Sequence, residues 1–557
     1  MTKDSIDAWR TAWNQLICEP SPFAVAVDEQ GRKVFTQAPS TLGEALQTAR
    51  EYGDRPFLKW QSQSHTFASF FAAADSLTAA LQLDLNIQPG DRVAIGMRNR
   101  PEWMIAFMAV VQAGAIPVAV NSWSTRQELL YVVQDAGVRV AFCDEPRYRD
   151  LVELAGKVEL VTVDPVQEHA HVHQWQALLE HMPAAATLVQ TQPENPALIL
   201  YTSGTTSRPK GVVSSQRAVC QAIHALEFQG AFAAMTSAER IRPIMESGLQ
   251  PTALLAYPLF HVSGLLSQFL SALRGGKRLV ILYKWDIHDA LKMIREERIT
   301  QFNGVPTMMQ QLIFHERFVS DDTATLFALG LGGSSVSKAL LGKLLEAKPM
   351  AMTGNGYGMT EGNGICAALS GEQFMAFPDS VGWPMPIVDV VIGEAPEQQV
   401  AAGDCGPIWI RTSALMDGYW NNPEETRASM REGWYFTGDV GYLDKHGMLY
   451  ITDRIKDIII RGGENISAVE VEHCAAEHPA VKEAAVFMLP DSEMGEAVGM
   501  VAHCSVQVSE QELRAFMAQR LAAYKLPKRI WFSAHPLQRS VMGKLQKPMI
   551  KQAFVDV

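Results

Sequence analysis

Tyr201-Thr-Ser-Gly-Thr-Thr-Ser-Arg-Pro-Lys-Gly211 is the stretch from which the rest of the chain can be read. It sets five Ser/Thr hydroxyls, two glycines and two cations within eleven residues. The apolar run Pro196-Ala-Leu-Ile-Leu200 precedes it and predicts a short buried strand that delivers the loop to a sheet edge. Hydroxyls and backbone N–H groups donate to phosphate oxygens, glycine lets the backbone approach, and Lys210 adds charge, so the loop suits a polyphosphate. The spacing is not G-x-x-x-x-G-K-[ST]. Composition alone fits a polar surface turn equally well.

Further segments decide between the two. They are Pro258-Leu-Phe-His-Val-Ser-Gly264, Asn355-Gly-Tyr-Gly-Met-Thr-Glu361, Tyr435-Phe-Thr-Gly-Asp439, Asp453-Arg-Ile-Lys-Asp457, Arg461-Gly-Gly-Glu-Asn-Ile466 and Met542-Gly-Lys544. In this order and spacing the chain resembles the acyl-activating, adenylate-forming superfamily, and within it the acyl-CoA synthetases. The resemblance runs from about residue 41 to about residue 547. It implies ATP, Mg²⁺ and coenzyme A as cofactors and a small carboxylic acid as substrate. The expected activity is AMP-forming acid–thiol ligation.

By the same resemblance Lys544 is the adenylation cation, bridging the substrate carboxylate and the α-phosphate. Thr360 contacts that phosphate and Glu361 ligates Mg²⁺, a hard ion suited to a carboxylate. Thr202, Ser203, Gly204, Thr205, Thr206 and Lys210 hold the outer phosphates. Gly332, Gly333, Ser334 and Ser335 line adenine and acyl group, together with Asn355, Gly356 and Tyr357, whose ring offers a stacking face. Asp439 and Arg454 hold the ribose; a carboxylate accepts well from a diol. His261, Val262 and Gly304 belong to the acyl pocket. Gly462 and Gly463 lie along the pantetheine route, and Lys528 and Arg529, with Lys525, form a basic cluster for the CoA phosphates. Lys456 is the hinge.

Two positions depart from the family's usual pattern. Ser207 stands where glycine is common, and serine is strained if that position needs a positive φ. Gln538 stands where proline is common, with the Gly543-Lys544 pair intact.

Length and texture agree with two domains. At 557 residues the chain exceeds one core. Alternating helices and strands over residues 42–52, 67–83, 91–96, 101–114, 116–120, 126–136 and 138–143 predict an α/β fold with parallel-rich sheets flanked by helices. Residues 1–40 read as a polar lead-in. We expect a large domain over 1–453, a hinge at 454–457 and a small, mobile α+β domain over 458–557. Gly354-Asn-Gly-Tyr-Gly358 reads as a glycine-rich turn.

Apolar residues make up 47% of the chain, and 48 basic against 60 acidic side chains leave a net charge of −12. That balance disfavours nucleic acid and anionic membrane as main partners. Residues 104–120 are too short and too interrupted to span a bilayer, so no transmembrane segment is expected. No signal peptide is expected at Met1-Thr-Lys-Asp-Ser-Ile-Asp, nor a peroxisomal or lipidation signal at Phe554-Val-Asp-Val557. Seven scattered cysteines without C-x-x-C fit a reducing cytoplasm and no zinc site. His169, His171 and His173 read as an exposed connector. A homodimer is left open.

No Arg or Lys near His261 or in Phe302-Asn-Gly-Val-Pro306 could pair a second carboxylate, which disfavours dicarboxylates. The glycines leave room for a medium- or long-chain fatty acid or a hydrophobic ring-bearing acid. The alternatives are an acyl-AMP ligase loading a carrier protein, an amino-acid adenylating enzyme, a luciferase-type oxygenase, and a nucleotide-binding protein without catalysis.

Overall fold

The computed structural model describes residues 3–167, 169–182, 185–202, 208–330, 338–540 and 543–555. Two large sheets form the body of the molecule. The eight-stranded sheet has a parallel core, Pro196–Thr202, Ile116–Ala119, Arg92–Gly96, Val140–Cys143, Glu159–Thr162 and Val172–Gln174, with Lys210–Ser215 and Gly418–Tyr419 antiparallel at one edge. The nine-stranded sheet has a parallel core from Met352–Met359 through Ala328–Gly330, Gln301–Asn303, Thr252–Leu255 and Arg278–Ile281 to Pro56–Trp60. An antiparallel sheet of five strands, ending in Leu449–Arg454, leads to the small domain.

One apolar cluster fills the space between the two large sheets. Its central helix, Pro101–Gln112, is buried on every face. A helix that is apolar all round belongs inside a core rather than on a surface. Proline at its first turn suits the start, where no N–H partner is needed. The helices Phe67–Leu83 and Arg126–Asp135 start on Thr66 and Thr125 through reciprocal bonds with Ser69 and Glu128. The small domain has a five-stranded sheet with apolar clusters of its own on its two faces.

The expected α/β class with a small second domain is therefore observed. Three local readings need correction. Residues 1–40 are not simply a polar lead-in, because Lys3–Ile17 is a helix. Ile6, Trp9, Trp13 and Ile17 recur at helical spacing. Trp13 sits edge-on to Phe228 at 4.8 Å, Phe232 at 5.0 Å and Trp383 at 5.5 Å. Residues 42–52 divide into an α-helix to Gln47 and a 3₁₀ turn from Thr48.

The glycine-rich segment around Gly356 is not a turn. It lies within the strand Met352–Met359, which pairs with Gly364–Ser370, and the reversal falls at Thr360–Gly362. Gly358 is needed for close approach: a Cβ there would lie 1.6 Å from the Gly364 carbonyl oxygen. Asn363 closes the reversal in the left-handed region at φ 53°. His171 and His173 flank Val172 on the sheet edge and share one carboxylate, Glu159, at 2.8 and 2.9 Å.

Candidate active site

The strand Pro196–Thr202 is buried as its apolar run predicts, but it is an interior strand of the eight-stranded sheet rather than one at the edge, and Lys210–Ser215 returns antiparallel beside it. Thr202 and Lys210 face each other across this hairpin. Ser203, Gly204, Thr205, Thr206 and Ser207 lie outside the described residues. Lys210 is ion-paired with Glu425 and sits 5.5 Å over the Tyr419 ring. Gly332, Gly333, Ser334 and Ser335 also lie outside the described residues.

Thr360 is buried, and Glu361 follows it in the 3₁₀ turn. The Glu361 carboxylate accepts a hydrogen bond from the Tyr419 hydroxyl at 2.9 Å, and Tyr435 stands 3.3 Å beyond, oxygen to oxygen. Burial, reinforced by the Glu361 charge, pushes both phenols above their ordinary range, so they stay neutral donors. Neither tyrosine carries a sequence signal for this role, although Tyr435 belongs to one of the quoted segments.

Asp439 and Arg454 are directly opposed on neighbouring strands. Arg454 Nε lies 3.2 Å from Asp439 Oδ1, and the Tyr357 hydroxyl donates to Oδ2 at 2.7 Å. Burial, then the Asp439 charge, raises the Tyr357 phenol well above its usual value. Asn355, Gly356 and Tyr357 thus occupy the strand that leads into Thr360.

Lys544 belongs to the small domain by sequence, yet it enters this same site. Gly543, at φ 71°, abuts the large domain so closely that a Cβ would lie 3.1 Å from Val305 Cβ. The loop is braced from behind: Arg539 donates to the Gly543 carbonyl at 2.6 Å and pairs with Glu483 at 3.0 Å. Burial lowers the Lys544 ammonium below its ordinary value. Arg454 and Lys456 push the same way, opposed by Asp439 and Glu361. His261 caps the next helix, with its carbonyl accepting from Leu265 N–H at 2.8 Å. Burial, then the nearby Lys544, lowers its imidazole to about 4, so it is neutral at physiological pH. Val262 is buried beside it, and Gly304 lies under the Phe302 ring, 2.6 Å from where a Cβ would stand.

Lys456 sits in the 3₁₀ turn Ile455–Asp457, its ammonium lowered by burial and by Arg454. Just before it, Asp453 holds the two domains together. Its Oδ2 accepts from Ser467 Oγ at 2.7 Å, at the start of the small-domain helix Ala468–Ala476. Gly462 and Gly463 take positive φ, 59° and 90°, in the turn before Glu464–Ile466, with open space beside Gly463. Lys528 is bound to Asp491 at 2.7 Å, Lys525 to Glu470 at 2.7 Å, and Arg529 stacks 4.9 Å over Trp531. The basic cluster is thus engaged within the small domain.

The arrangement gathers three cations, two carboxylates, hydroxyl donors and a neutral imidazole around one point between domains. Such a set can screen a phosphate and orient a carboxylate, and it does not require a covalent protein nucleophile.

Comparison with known proteins identifies the family. Residues 46–420 match the family described as "AMP-binding enzyme", and residues 470–544 match "AMP-binding enzyme C-terminal domain". The chain is 30% identical over 533 residues to a long-chain-fatty-acid–CoA ligase of Bacillus subtilis, covering 89% of this chain and 91% of the relative. It is 31% identical over 473 residues to a feruloyl-CoA synthase of an Amycolatopsis species, covering 84% and 90%. The solved structure of Bacillus subtilis o-succinylbenzoate CoA synthetase with its acyl-adenylate intermediate superposes with a TM-score of 0.73 at 27% identity, covering 91% and 97%. The chain belongs to the AMP-binding enzyme family.

Proposed function

We propose that this protein is an ATP-dependent acyl-CoA synthetase for an apolar carboxylic acid, either a medium- or long-chain fatty acid or a hydrophobic ring-bearing acid. In the first step a carboxylate oxygen bonds to the α-phosphorus and pyrophosphate leaves. In the second the CoA thiol, losing its proton, attacks the acyl carbonyl and AMP leaves. The observation that carries the reading is Lys544, brought by the small domain into electrostatic reach of His261, Asp439, Arg454 and Glu361. Asp439 and Arg454 suit a ribose, and Lys544 suits the anions that meet at the α-phosphate.

Magnesium fits the residues present. Among the described residues no group of three or more His, Cys, Asp or Glu could hold a metal by itself. Mg²⁺ characteristically arrives on substrate phosphates and takes one or two carboxylates from the protein. Glu361 is the carboxylate in position to serve. CoA as acceptor is supported by relatives named as CoA ligases and by the uncovered turn at Gly463. Among the described residues no helix is long and apolar enough to cross a membrane. We place the enzyme in the cytoplasm, a compartment that suits its seven unpaired cysteines.

The test is a mass-spectrometric assay with Mg-ATP and a panel of carboxylic acids, with and without CoA. Acyl-CoA formed only when CoA is present supports the ligase. Acyl-AMP that accumulates regardless of CoA would instead make the protein an acyl-AMP ligase for a carrier. No adenylate from any acid would overturn the proposal.

A further inference from the structure

A lysine carries its charge at the end of a flexible stem, so it meets a phosphate reliably only where its root is held. The root of Lys544 is held from both sides. Residues 538–540 and 543–546 form the two arms of a narrow loop. Its base is closed by the Gln546 N–H, which donates to the Gln538 carbonyl at 2.9 Å, and by the antiparallel pairing of Arg539 with Leu545. Nearer the tip, the Gly543 N–H donates to the Ser540 carbonyl at 2.8 Å, and the Ser540 N–H donates to the Lys544 carbonyl at 2.8 Å.

A peptide unit is planar, so holding its C=O and its N–H orients the whole plane. In the plane before Lys544, the Gly543 carbonyl accepts from Arg539 Nη1 at 2.6 Å and the Lys544 N–H donates to Ser540 Oγ at 3.3 Å. In the plane after it, the Lys544 carbonyl is held by Ser540. These two planes set the φ and ψ of Lys544, and with them the direction in which its side chain leaves the backbone. Gly543, at φ 71°, is the freest joint of the loop, and its carbonyl is the one that Arg539 pins.

Arg539 is itself aimed. Its Nε and Nη2 donate to Glu483 Oε1 at 3.1 and 3.0 Å, on the strand Val481–Asp491. Glu483 Oε2 accepts from the Leu537 N–H at 2.6 Å, so the carboxylate is fixed in turn. The guanidinium is a rigid planar fork. With Nε and Nη2 on the carboxylate, Nη1 is directed at Gly543. An exposed ion pair contributes little. Here the carboxylate is 14% and the guanidinium 26% exposed, and the third bond goes to the residue next to the cation. Every member of this bracket lies in the small domain. It therefore travels with Lys544, whereas the bond from Asp453 to Ser467 joins one domain to the other.

We propose that Arg539, oriented by Glu483, is a positioning residue for adenylation: it fixes the peptide between Gly543 and Lys544 and so aims the Lys544 ammonium. This rests on the adenylation reading above and adds to it a group that acts through Lys544 without touching ATP or the acid. Its effect is confined to the first half-reaction, because transfer to CoA does not use that cation.

The test compares Arg539→Met, which keeps most of the side chain's length without its donors, with the unaltered enzyme. In ATP–pyrophosphate exchange kcat should fall about a hundredfold, the cost of misplacing a reacting group by roughly 1 Å. The KM values for ATP and acid should change little, the pattern of a group felt only in the transition state. Transfer to CoA from chemically synthesised acyl-AMP should keep its rate. In a Lys544→Ala background the same substitution should add nothing, since a residue that acts through Lys544 has no effect without it. Arg539→Lys, a single ammonium in place of a fork, should lose less than the Met variant and serves if that variant does not fold. Undiminished exchange in a folded Arg539 variant, equal loss in both half-reactions, or a further loss in the Lys544→Ala background would each overturn the positioning role and leave adenylation standing. No acyl-AMP from the unaltered enzyme with any acid of the panel overturns both.

Discussion

The Tyr357 hydroxyl donates to Asp439 Oδ2 at 2.7 Å, across 82 residues of chain, while Arg454 holds the other carboxylate oxygen. Asp439 is thus fixed from two sides before any ligand arrives. Tyr357→Phe removes one charge-assisted bond while keeping the ring. We expect the KM for ATP to rise about tenfold, consistent with the value of a hydrogen bond to a charged group, with a smaller change in kcat. ATP–pyrophosphate exchange measures this; an unchanged KM would mean that Arg454 alone positions the carboxylate.

Lys544→Ala should lower acyl-AMP formation by about a thousandfold or more, as expected when a charge aimed at the transition state is removed. ATP binding, followed by equilibrium dialysis, should persist. So should thioester formation from chemically synthesised acyl-AMP, because that step does not use the cation. A similar loss in both half-reactions would argue that the substitution damages the domain interface instead.

The pH dependence of adenylation follows from the lowered Lys544 ammonium. On the role proposed for Lys544 the active form is the cation, present below its pKa and lost as pH rises through it. The alkaline limb of the rate profile should therefore fall at lower pH than an ordinary lysine would give. Lys544→Arg, which keeps its charge throughout, should move that limb upward, whatever its effect on the maximum. His261, neutral down to about 4, should contribute no limb between pH 5 and 8.

Lys456→Pro tests the hinge. A proline there stiffens the turn Ile455–Asp457 and restricts the residue before it. Acyl-AMP formation should survive largely intact, while transfer to CoA falls by about a hundredfold or more if rotation is needed. Single-turnover measurement of each half-reaction separates the two; equal losses would remove Lys456 from the hinge.

Trp13→Ala removes the anchor of the first helix from three aromatic partners. A cost of about 3 kcal/mol is expected from loss of a large aromatic contact, read as a lower melting temperature for the large domain with the small domain's own cores untouched.

Much of this architecture is legible in the sequence, because alternation of apolar helices and strands fixes a parallel sheet and the texture changes before the small domain. The first helix was equally visible in Ile6, Trp9, Trp13 and Ile17, but polar residues between them mask the stripe unless the period is counted. Gly354 to Gly358 misleads for a physical reason. Glycine marks close backbone approach as well as turns, and here Gly358 faces Gly364 across a hairpin. Order along the chain says that Lys544, His261 and Asp439 matter to one family. Only the fold brings them together across almost three hundred residues. The tyrosines around Glu361 have no local signature, since their place beside it arises from neighbours distant in sequence.

The bond from Ser467 to Asp453 fastens the small domain where Lys544 is engaged. A partly buried bond to a carboxylate, worth about 1.5 to 3 kcal/mol, weights the resting population roughly ten- to a hundredfold toward that pose. If the second half-reaction requires the small domain to rotate about Lys456, this bond and the one from Ser467 Oγ to the Thr452 carbonyl at 3.2 Å must open first, so a stronger clasp would lengthen the wait between the two reactions.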